Sequence, residues 1–371
     1  MKDASQFDKR MASGHSAEGE YRWYDVPCDS ITVNGLGFFE KERRWNRLPE
    51  ELFEEVRLQR PALEELSAHM AGASLNFCTD SPEIWICAEV DSAPYMSHMT
   101  PVAQCGFDCY VRLPGREDWL LAGVTKYHPS QSRFYCRLAQ DLPSGTQVRI
   151  YFPLYIGVKQ IQLGICSGSK CHRAMPYSHS KGVAFYGTSI TQGGCATHPG
   201  MAYPAIVERK LDIPVFNLGF SGNGVGNMCI ADTICSLPEL GALVVDIEPN
   251  AGPEGVLERN LPAFLDSVRF RLPNLPILVL AGTPQLAAEW DEQIKTSFTG
   301  FTAFEKAEVE RRREAGDRHI FFADPKEWMG QFCNEITVDG IHLTDFGFYT
   351  LAQNLVPILS HILAQSDSLH S

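Results

Sequence analysis

Residues 183–193 read VAFYGTSITQG, four apolar residues followed by a turn of small residues that contains Ser189. The apolar run predicts a short buried strand. Open α/β sheets form their sites outside the carboxyl ends of their strands. Ser189 would then lie at that edge of a sheet, with its hydroxyl group facing a crevice, and it is a candidate nucleophile.

A serine hydroxyl is a weak nucleophile unless a neighbouring base takes its proton. The best candidate base is His342, within DGIHLTDFG at residues 339–347. Asp339 precedes it by three residues in a glycine-containing turn, so the carboxylate can orient the imidazole ring and stabilise its charged form. The other ring nitrogen would face Ser189. The sequence thus predicts a catalytic triad in the chain order Ser, Asp, His.

Acyl transfer also needs hydrogen-bond donors where negative charge develops on the carbonyl oxygen. Two stretches between Ser189 and His342 offer such donors. Residues 217–224, NLGFSGNG, follow an apolar run, and Gly222 lets the backbone approach a ligand closely. Residues 244–250, VVDIEPN, end another predicted strand, and the Asn250 amide could point into the same crevice.

These four blocks, in this order, resemble the SGNH hydrolases, also called the GDSL-type esterase/lipase superfamily. The resemblance covers about residues 180–365. It implies that Ser189 is the nucleophile, His342 the base and Asp339 its orienting acid. It also implies three oxyanion donors, namely the backbone N–H groups of Ser189 and Gly222 and the side chain of Asn250. The chain has Gly-Thr-Ser-Ile where the family has Gly-Asp-Ser-Leu, and Glu-Pro-Asn-Ala where many members have Gly-x-Asn-Asp.

The region before these blocks has a different pattern. Residues 1–20 are polar, and we expect a disordered tail. Residues 21–170 contain many short strands separated by turns, which predicts an antiparallel β-sandwich of the jelly-roll type, with one good helix around residues 62–70. Residues 167–180 are polar and contain glycine and proline, so we interpret them as a linker. The motifs at residues 106–110 and 155–159 resemble an N-terminal sandwich module that precedes SGNH domains in some bacterial esterases.

Apolar strands and helical patterns alternate over residues 180–371. Such alternation predicts an α/β domain whose parallel sheet is covered on both faces, and the family resemblance implies a flavodoxin-like, three-layer version of it. Thr344 is a plausible N-cap of a last helix that reaches about residue 364 and is kinked or interrupted at Pro357. The predicted strands are residues 183–186, 215–218, 243–247, 277–280 and 320–323, and the predicted helices are residues 201–211, 225–236, 254–271 and 296–314.

Composition narrows the function classes. The chain has 371 residues and a formal charge of −13, which disfavours binding to nucleic acid or to anionic membranes. The amino terminus lacks the apolar core of a signal peptide, so we expect a cytoplasmic protein whose 12 cysteines are reduced. No cysteine pairs have zinc-finger spacing, and nothing calls for a metal or an organic cofactor. The sequence does not fix the oligomeric state, and it is compatible with a homo-oligomer.

Three functions are compatible with these residues. The first is a serine esterase that removes small acyl groups, most plausibly acetyl, from a carbohydrate or a related polyol. The second is an acyltransferase that passes the acyl group from the same serine to an alcohol of a sugar or a natural product. The third is a non-catalytic carbohydrate-binding protein. His198, after the nucleophile turn, and Gln285, after a predicted strand, are candidates for contacting the small-molecule or oligosaccharide ester substrate.

Overall fold

The fold combines two antiparallel sheets with one parallel sheet. The structure is a computed structural model that describes residues 6–7, 20–91, 96–126, 131–251 and 255–368. Nearly all of the predicted disordered tail, residues 1–20, lies outside the described residues. All twelve cysteines are free thiols. None of the described helices is long and apolar enough to cross a membrane.

The N-terminal half forms the predicted β-sandwich. One sheet has four antiparallel strands in the order β1-β9-β4-β7, and the other has six strands, with β10-β3-β8-β5-β6 in a row and β2 paired to β3. Along the strands, alternate residues are apolar and face inward. The two inner faces enclose a core of side chains such as Phe77, Ile86 and Leu163. The strands are β1 (Tyr21–Asp25), β2 (Thr32–Asn34), β3 (Ser74–Thr79), β4 (Ile84–Val90), β5 (Asp108–Arg112), β6 (Leu120–Val124), β7 (Arg133–Ala139), β8 (Thr146–Tyr151), β9 (Val158–Cys166) and β10 (Cys171–Arg173).

Strand β10 corrects the predicted linker. Cys171, His172 and Arg173 pair antiparallel with residues 77–79 of β3, although residues 167–180 were expected to be a linker. The polar composition of this stretch hid the strand, because β10 lies at an edge of its sheet and exposes His172 and Arg173. The sandwich therefore continues to residue 173.

Four short helices interrupt the sandwich sequence. They are α1 (Phe39–Glu42), α2 (Phe53–Gln59), α3 (Ala62–Ser67) and α4 (Pro101–Cys105). Only α3 was expected, in the predicted helix of residues 62–70. The apolar side chains of Phe38, Leu48, Val56 and Leu63 join a core that belongs to the C-terminal half. The other three helices are too short to show a clear period, and α2 contacts a segment about 170 residues away in sequence, so the sequence alone did not reveal them.

The C-terminal half is the predicted flavodoxin-like α/β domain. Its five parallel strands have the order β12-β11-β13-β14-β15. They are β11 (Gly182–Gly187), β12 (Val215–Gly219), β13 (Leu240–Asp246), β14 (Ile277–Leu280) and β15 (Ile320–Ala323). The helices are α5 (Ser189–Gln192), α6 (Tyr203–Leu211), α7 (Met228–Cys235), α8 (Glu248–Ala251), α9 (Val256–Arg271), α10 (Glu292–Glu314), α11 (Lys326–Met329) and α12 (Asp345–Ser368).

Helices cover both faces of the parallel sheet. On β11, Val183 and Phe185 face the layer of α6 and α12, whereas Ala184 and Tyr186 face the layer of α7, α9 and α10. Both sets are fully buried, which explains why the strand reads as a continuous apolar run rather than an alternating one. The sheet therefore forms the middle of three layers.

Local capping sets the helix ends. Helix α10 starts at Glu292, four residues before the prediction, because the Asp291 side chain accepts hydrogen bonds from the N–H groups of Gln293 and Ile294. Helix α7 starts at Met228, later than predicted, since Gly226 before it has a φ of +80°. Thr344 accepts from the N–H of Gly347 before α12, as expected for an N-cap, and α12 continues through Pro357.

Arg47 attaches the N-terminal segment to an edge of the parallel sheet. Its guanidinium group donates to the carbonyl oxygens of Asn217 and Gly219, at 3.1 and 2.7 Å, and to that of Leu66 at 2.6 Å. It also lies over the Phe220 ring, 4.4 Å from its centre. Burial lowers the pKa of Arg47 to about 9, so the group is still a cation at neutral pH. Strand β12 is thereby covered on its open side.

We predict that Arg47→Ala lowers the free energy of unfolding by roughly 3–5 kcal/mol, because it leaves three carbonyl oxygens without their donor and a buried void. Urea denaturation measures the effect. Arg57→Ala is the matched control, since Arg57 is exposed and pairs with Glu64 at the surface; its urea midpoint should equal that of the wild type. Equal midpoints for the Arg47 and Arg57 variants would contradict the structural role of Arg47.

Candidate active site

Ser189 lies in the tight turn between β11 and α5. Its side chain is buried, with 8% of the residue exposed. Ser189 is the first residue of the single-turn helix α5, and Gly193, with a φ of +106°, ends that helix. The Thr188 side chain accepts from the N–H of Ile190 at 3.3 Å, which closes the turn. Ser189 thus follows the strand directly, at the carboxyl edge of the sheet, as the sequence predicted.

Polar side chains behind the turn hold it in place. Thr191 donates through Oγ1 to Asp246 at 2.9 Å, and its Oγ1 also lies 3.0 Å from the hydroxyl oxygen of Tyr203. Burial raises the pKa of Asp246 to about 7, although the hydrogen bonds from Thr191 and Tyr203 oppose this. Asp246 ends β13, so these contacts join the nucleophile turn to the neighbouring strand.

His342 connects Ser189 to Asp339. The His342 Nε2 atom lies 2.9 Å from Ser189 Oγ, and the Nδ1 atom lies 2.7 Å from Asp339 Oδ2. The other carboxylate oxygen of Asp339 accepts from the backbone N–H groups of Ile341 and His342, at 3.0 and 2.8 Å. Partial burial raises the pKa of Asp339, but these hydrogen bonds outweigh it, so the pKa lies below its usual value. An ionised Asp339 requires a proton on Nδ1, which leaves Nε2 free to accept from Ser189.

Hydrogen bonds close the loop that carries Asp339 and His342, and others attach it to the segment that follows the nucleophile turn. Val338 N–H donates to the His342 carbonyl oxygen at 2.8 Å, and Gly340 takes a φ of +90° in the turn between them. Asp345, the first residue of α12, accepts from the N–H of Thr197 at 2.9 Å and from its hydroxyl group. These contacts hold the imidazole ring at hydrogen-bonding distance from Ser189.

The predicted oxyanion residues lie next to the nucleophile turn. The N–H of Phe220 donates to the Gly187 carbonyl oxygen at 3.0 Å, and Gln192 accepts from the N–H of Ser221 at 2.8 Å. Gly222 follows with a φ of +67° and open space around it. Asn250, in α8, accepts through Oδ1 from the N–H of Gly224 at 3.3 Å, so the NH₂ end of its amide remains the donor end.

The N-terminal half also contacts the turns that carry Gly222 and Ser189. Arg60 donates to Asn223 Oδ1 at 2.6 Å and to the Gly222 carbonyl oxygen at 3.3 Å. Gln192 donates to the Leu154 carbonyl oxygen at 2.9 Å and lies 3.3 Å from His69 Nδ1. Burial lowers the pKa of His69 to about 4, so its ring is neutral. The turn that carries Gly222 is therefore held from both halves of the chain.

His198 and Gln285 lie outside the triad contacts. His198 is largely buried, and its Nδ1 atom bonds to Asp108 of the sandwich, which also accepts from the N–H of Gly200. This bond joins the two halves of the chain, and the contact of His198 with substrate stays a prediction. Gln285 lines a cavity of about 440 Å³. Leu286 N–H, next to it, donates to the Gly340 carbonyl oxygen at 3.4 Å, so this cavity adjoins the Asp339 loop.

Two residues near the triad were missed by sequence reasoning. The ring of His98, from the sandwich half, lies 5.8 Å from that of His342 between centres. Cys195 is buried beside the same ring. Within the described parts of the chain, the ligand atoms of His98, Cys195, Asp339 and His342 lie within 4.8 Å of one another and are a group that could hold a metal ion. No pattern around His98 indicated this place, since it depends on how the two halves pack.

Comparison with known proteins identifies both halves of the chain. The model of the GDSL-like lipase/acylhydrolase family matches residues 180–360, and a model described as the N-terminus of Esterase_SGNH_hydro-type proteins matches residues 21–171. No curated protein matches the chain. These matches cover the two regions that the sequence predicted as catalytic and accessory.

Several solved structures share the fold over most of the chain. A putative GDSL-like lipase from Bacteroides ovatus is 25% identical, with a TM-score of 0.83 over 93% of this chain and 98% of its own. The salicylyl-acyltransferase SsfX3 from a tetracycline biosynthetic pathway is 19% identical, with a TM-score of 0.71 over 90% and 95%. A family two carbohydrate esterase from Clostridium thermocellum in complex with cellohexaose is 13% identical, with a TM-score of 0.54 over 80% and 94%.

We predict that Gly194→Ala slows ester turnover by about 10- to 100-fold, since small misplacements of reacting groups have costs of this size. A Cβ atom there would lie 2.9 Å from the Tyr155 hydroxyl oxygen and 3.2 Å from Cδ2 of His342, so the ring must shift. Steady-state kinetics measure the effect. Gly300→Ala is the control, because a Cβ at Gly300 meets nothing within 4 Å. Turnover equal to the control would show that the ring tolerates the added methyl group.

Proposed function

The chain belongs to the GDSL-like lipase/acylhydrolase family of carboxylic ester hydrolases, and from this we propose that it removes small acyl groups from a carbohydrate or a related polyol through an acyl-serine intermediate. The observation that supports the proposal most directly is the unbroken row of hydrogen bonds from Asp339 through His342 to Ser189. This row is the arrangement that a serine nucleophile needs.

The proposed reaction has two steps. Ser189 Oγ attacks the ester carbonyl carbon while His342 Nε2 takes its proton, and Asp339 stabilises the charged ring. The N–H groups of Ser189 and Gly222 and the Asn250 amide donate to the oxygen that becomes negative. His342 then gives its proton to the leaving alcohol. Water, activated by the same nitrogen, attacks the acyl-serine and releases the acid.

Three observations support a small acyl group and a neutral polyol. Ser189 itself is only 8% exposed, which disfavours bulky acyl groups. The formal charge of −13 disfavours anionic polymers. Family two carbohydrate esterases share the fold, and one of them was solved in complex with cellohexaose. An acetylated oligosaccharide is therefore the substrate that we propose first. The cytoplasmic location stays a prediction.

An acyltransferase is the second candidate. It is favoured by the likeness to the salicylyl-acyltransferase, whose TM-score of 0.71 exceeds the 0.54 of the carbohydrate esterase over a larger share of this chain. In that case an alcohol, rather than water, would attack the acyl-serine.

The third candidate, a non-catalytic carbohydrate-binding protein, is disfavoured because Ser189, Asp339 and His342 lie in hydrogen-bonding geometry.

We predict that Ser189→Ala lowers the hydrolysis of p-nitrophenyl acetate by at least about 10³-fold, because it removes the nucleophile. Asn250→Ala should lower kcat by about 10²- to 10³-fold, since it removes one oxyanion donor. Ser297→Ala is the control for Ser189, because Ser297 is a partly exposed residue of α10 whose hydroxyl group donates to the Gln293 carbonyl oxygen. Hydrolysis by Ser189→Ala at the wild-type rate would exclude Ser189 as the nucleophile.

Product analysis separates hydrolysis from transfer. We predict that wild-type protein, given an acetylated oligosaccharide and an added alcohol acceptor, releases more free acetate than transferred ester, since the proposal assigns water as the second nucleophile. Mass spectrometry and an acetate assay measure both products. Transferred ester forming faster than acetate would favour the acyltransferase, and Ser189→Ala should abolish either product.

A further inference from the structure

Two groups close to the triad, His98 and Cys195, are not used by the proposed reaction. His98 is exposed and lies in the segment before α4, and Cys195 is buried just after the nucleophile turn. With Asp339 and His342 they bring four ligand atoms within 4.8 Å of one another. The group thus contains two imidazoles, one thiol and one carboxylate, contributed by three separated segments of the chain.

This set of donors suits a borderline-soft divalent ion. Zn²⁺ prefers nitrogen, sulfur and carboxylate oxygen in a tetrahedron, with bonds of about 2.0–2.3 Å, which sets neighbouring ligand atoms about 3.3–3.8 Å apart. A spread of at most 4.8 Å therefore needs a closure of about 1.0–1.5 Å. Mg²⁺ and Ca²⁺ prefer all-oxygen sites, and the described group offers them a single carboxylate.

Charge also favours such an ion. Binding releases the thiol proton of Cys195 to solvent, and the resulting thiolate together with the Asp339 carboxylate balances the two positive charges of the ion. The surrounding protein carries a formal charge of −13, which raises the local concentration of cations. His98 is exposed, so its ring can turn toward an arriving ion without repacking a core.

We propose that His98, Cys195, Asp339 and His342 form an inhibitory binding site for Zn²⁺ or a similar soft divalent ion. A metal bond to either nitrogen of His342 removes what the triad requires. At Nε2 the ion replaces Ser189 as the partner. At Nδ1 the ion displaces the proton, which moves to Nε2, so that nitrogen can no longer accept from Ser189. In both cases His342 can no longer act as a base, so the bound state is inactive. The inhibition, though not the binding, rests on the proposed function.

Cobalt titration tests the binding without reference to activity. Co²⁺ added to the Ser189→Ala protein should bind one ion per chain and produce tetrahedral d–d absorption with a thiolate-to-cobalt charge-transfer band, because Cys195 is the sulfur ligand and Ser189 is not a ligand. Zn²⁺ should displace it. Cys195→Ser should abolish the charge-transfer band. His98→Ala should weaken binding by roughly tenfold or more, since even outer-sphere partners are worth about 10- to 100-fold in affinity.

Matched controls separate this site from adventitious binding. Cys333→Ala and His361→Ala remove a partly exposed thiol and an exposed imidazole elsewhere, and should leave the cobalt spectrum and affinity unchanged. The absence of a thiolate band, or its loss in Cys333→Ala, would overturn the proposal.

Inhibition is measured separately on ester hydrolysis. Zn²⁺ should abolish the activity of the wild type, EDTA should restore it, and His98→Ala and Cys195→Ser should need roughly tenfold more Zn²⁺ for the same effect. Equal sensitivity of all variants would place the ion elsewhere and overturn the site. A protein without esterase activity would contradict the proposed function, while the cobalt titration would still decide the binding.

Discussion

The register of β11 between its two neighbours is the constraint on which the site depends. Gly187, the last residue of β11, pairs with Gly219 of β12 on one side and with Asp246 of β13 on the other. Three loops therefore leave the sheet at the same level. They carry Ser189, Gly222 and Asn250, so the parallel ladder itself brings the nucleophile and the proposed oxyanion donors to one crevice. The strand order reverses at this point, where open α/β sheets form their binding sites.

The space around Gly187 explains why small residues recur in these loops. A Cβ atom on Gly224 would lie 2.1 Å from the Gly187 carbonyl oxygen, and one on Gly219 would lie 2.2 Å from the Gln192 nitrogen. Any larger residue would push the second loop away from the nucleophile turn. The glycines that made these blocks recognisable in the sequence are thus required by the close approach of backbone to backbone.

The sandwich half is part of the site and not merely attached to it. Its Asp108 binds the His198 loop, Arg60 holds the turn of Gly222, and Arg47 covers the edge strand β12. Each of these contacts ends on a segment that leaves or flanks the carboxyl edge of the sheet. Movement of the sandwich would consequently change the nucleophile loop and the oxyanion turn together.

The sequence predicted the elements whose signal is local. The strands of the parallel sheet are continuous apolar runs, and Ser189, Asp339 and His342 follow from short motifs in which the acid and the base are three residues apart. It did not predict α1 and α2, or the places of His98, Cys195 and His198, because each depends on packing between segments about 90 or more residues apart. His198 had the sequence position of a substrate contact, yet a buried carboxylate from the other half engages its ring.

The short spacing of Asp339 and His342 has a further consequence. Because backbone N–H groups of the same turn bind the Asp339 carboxylate, the acid and the base form one rigid unit. Only the distance between that unit and Ser189 has to be maintained, and the contact of Asp345 with Thr197 maintains it. The Asp339 side chain keeps 34% of its surface exposed, so water screens its charge, and its effect on His342 depends more on orientation than on a strong local field. The ring of His98 and the thiol of Cys195 lie beside the same imidazole.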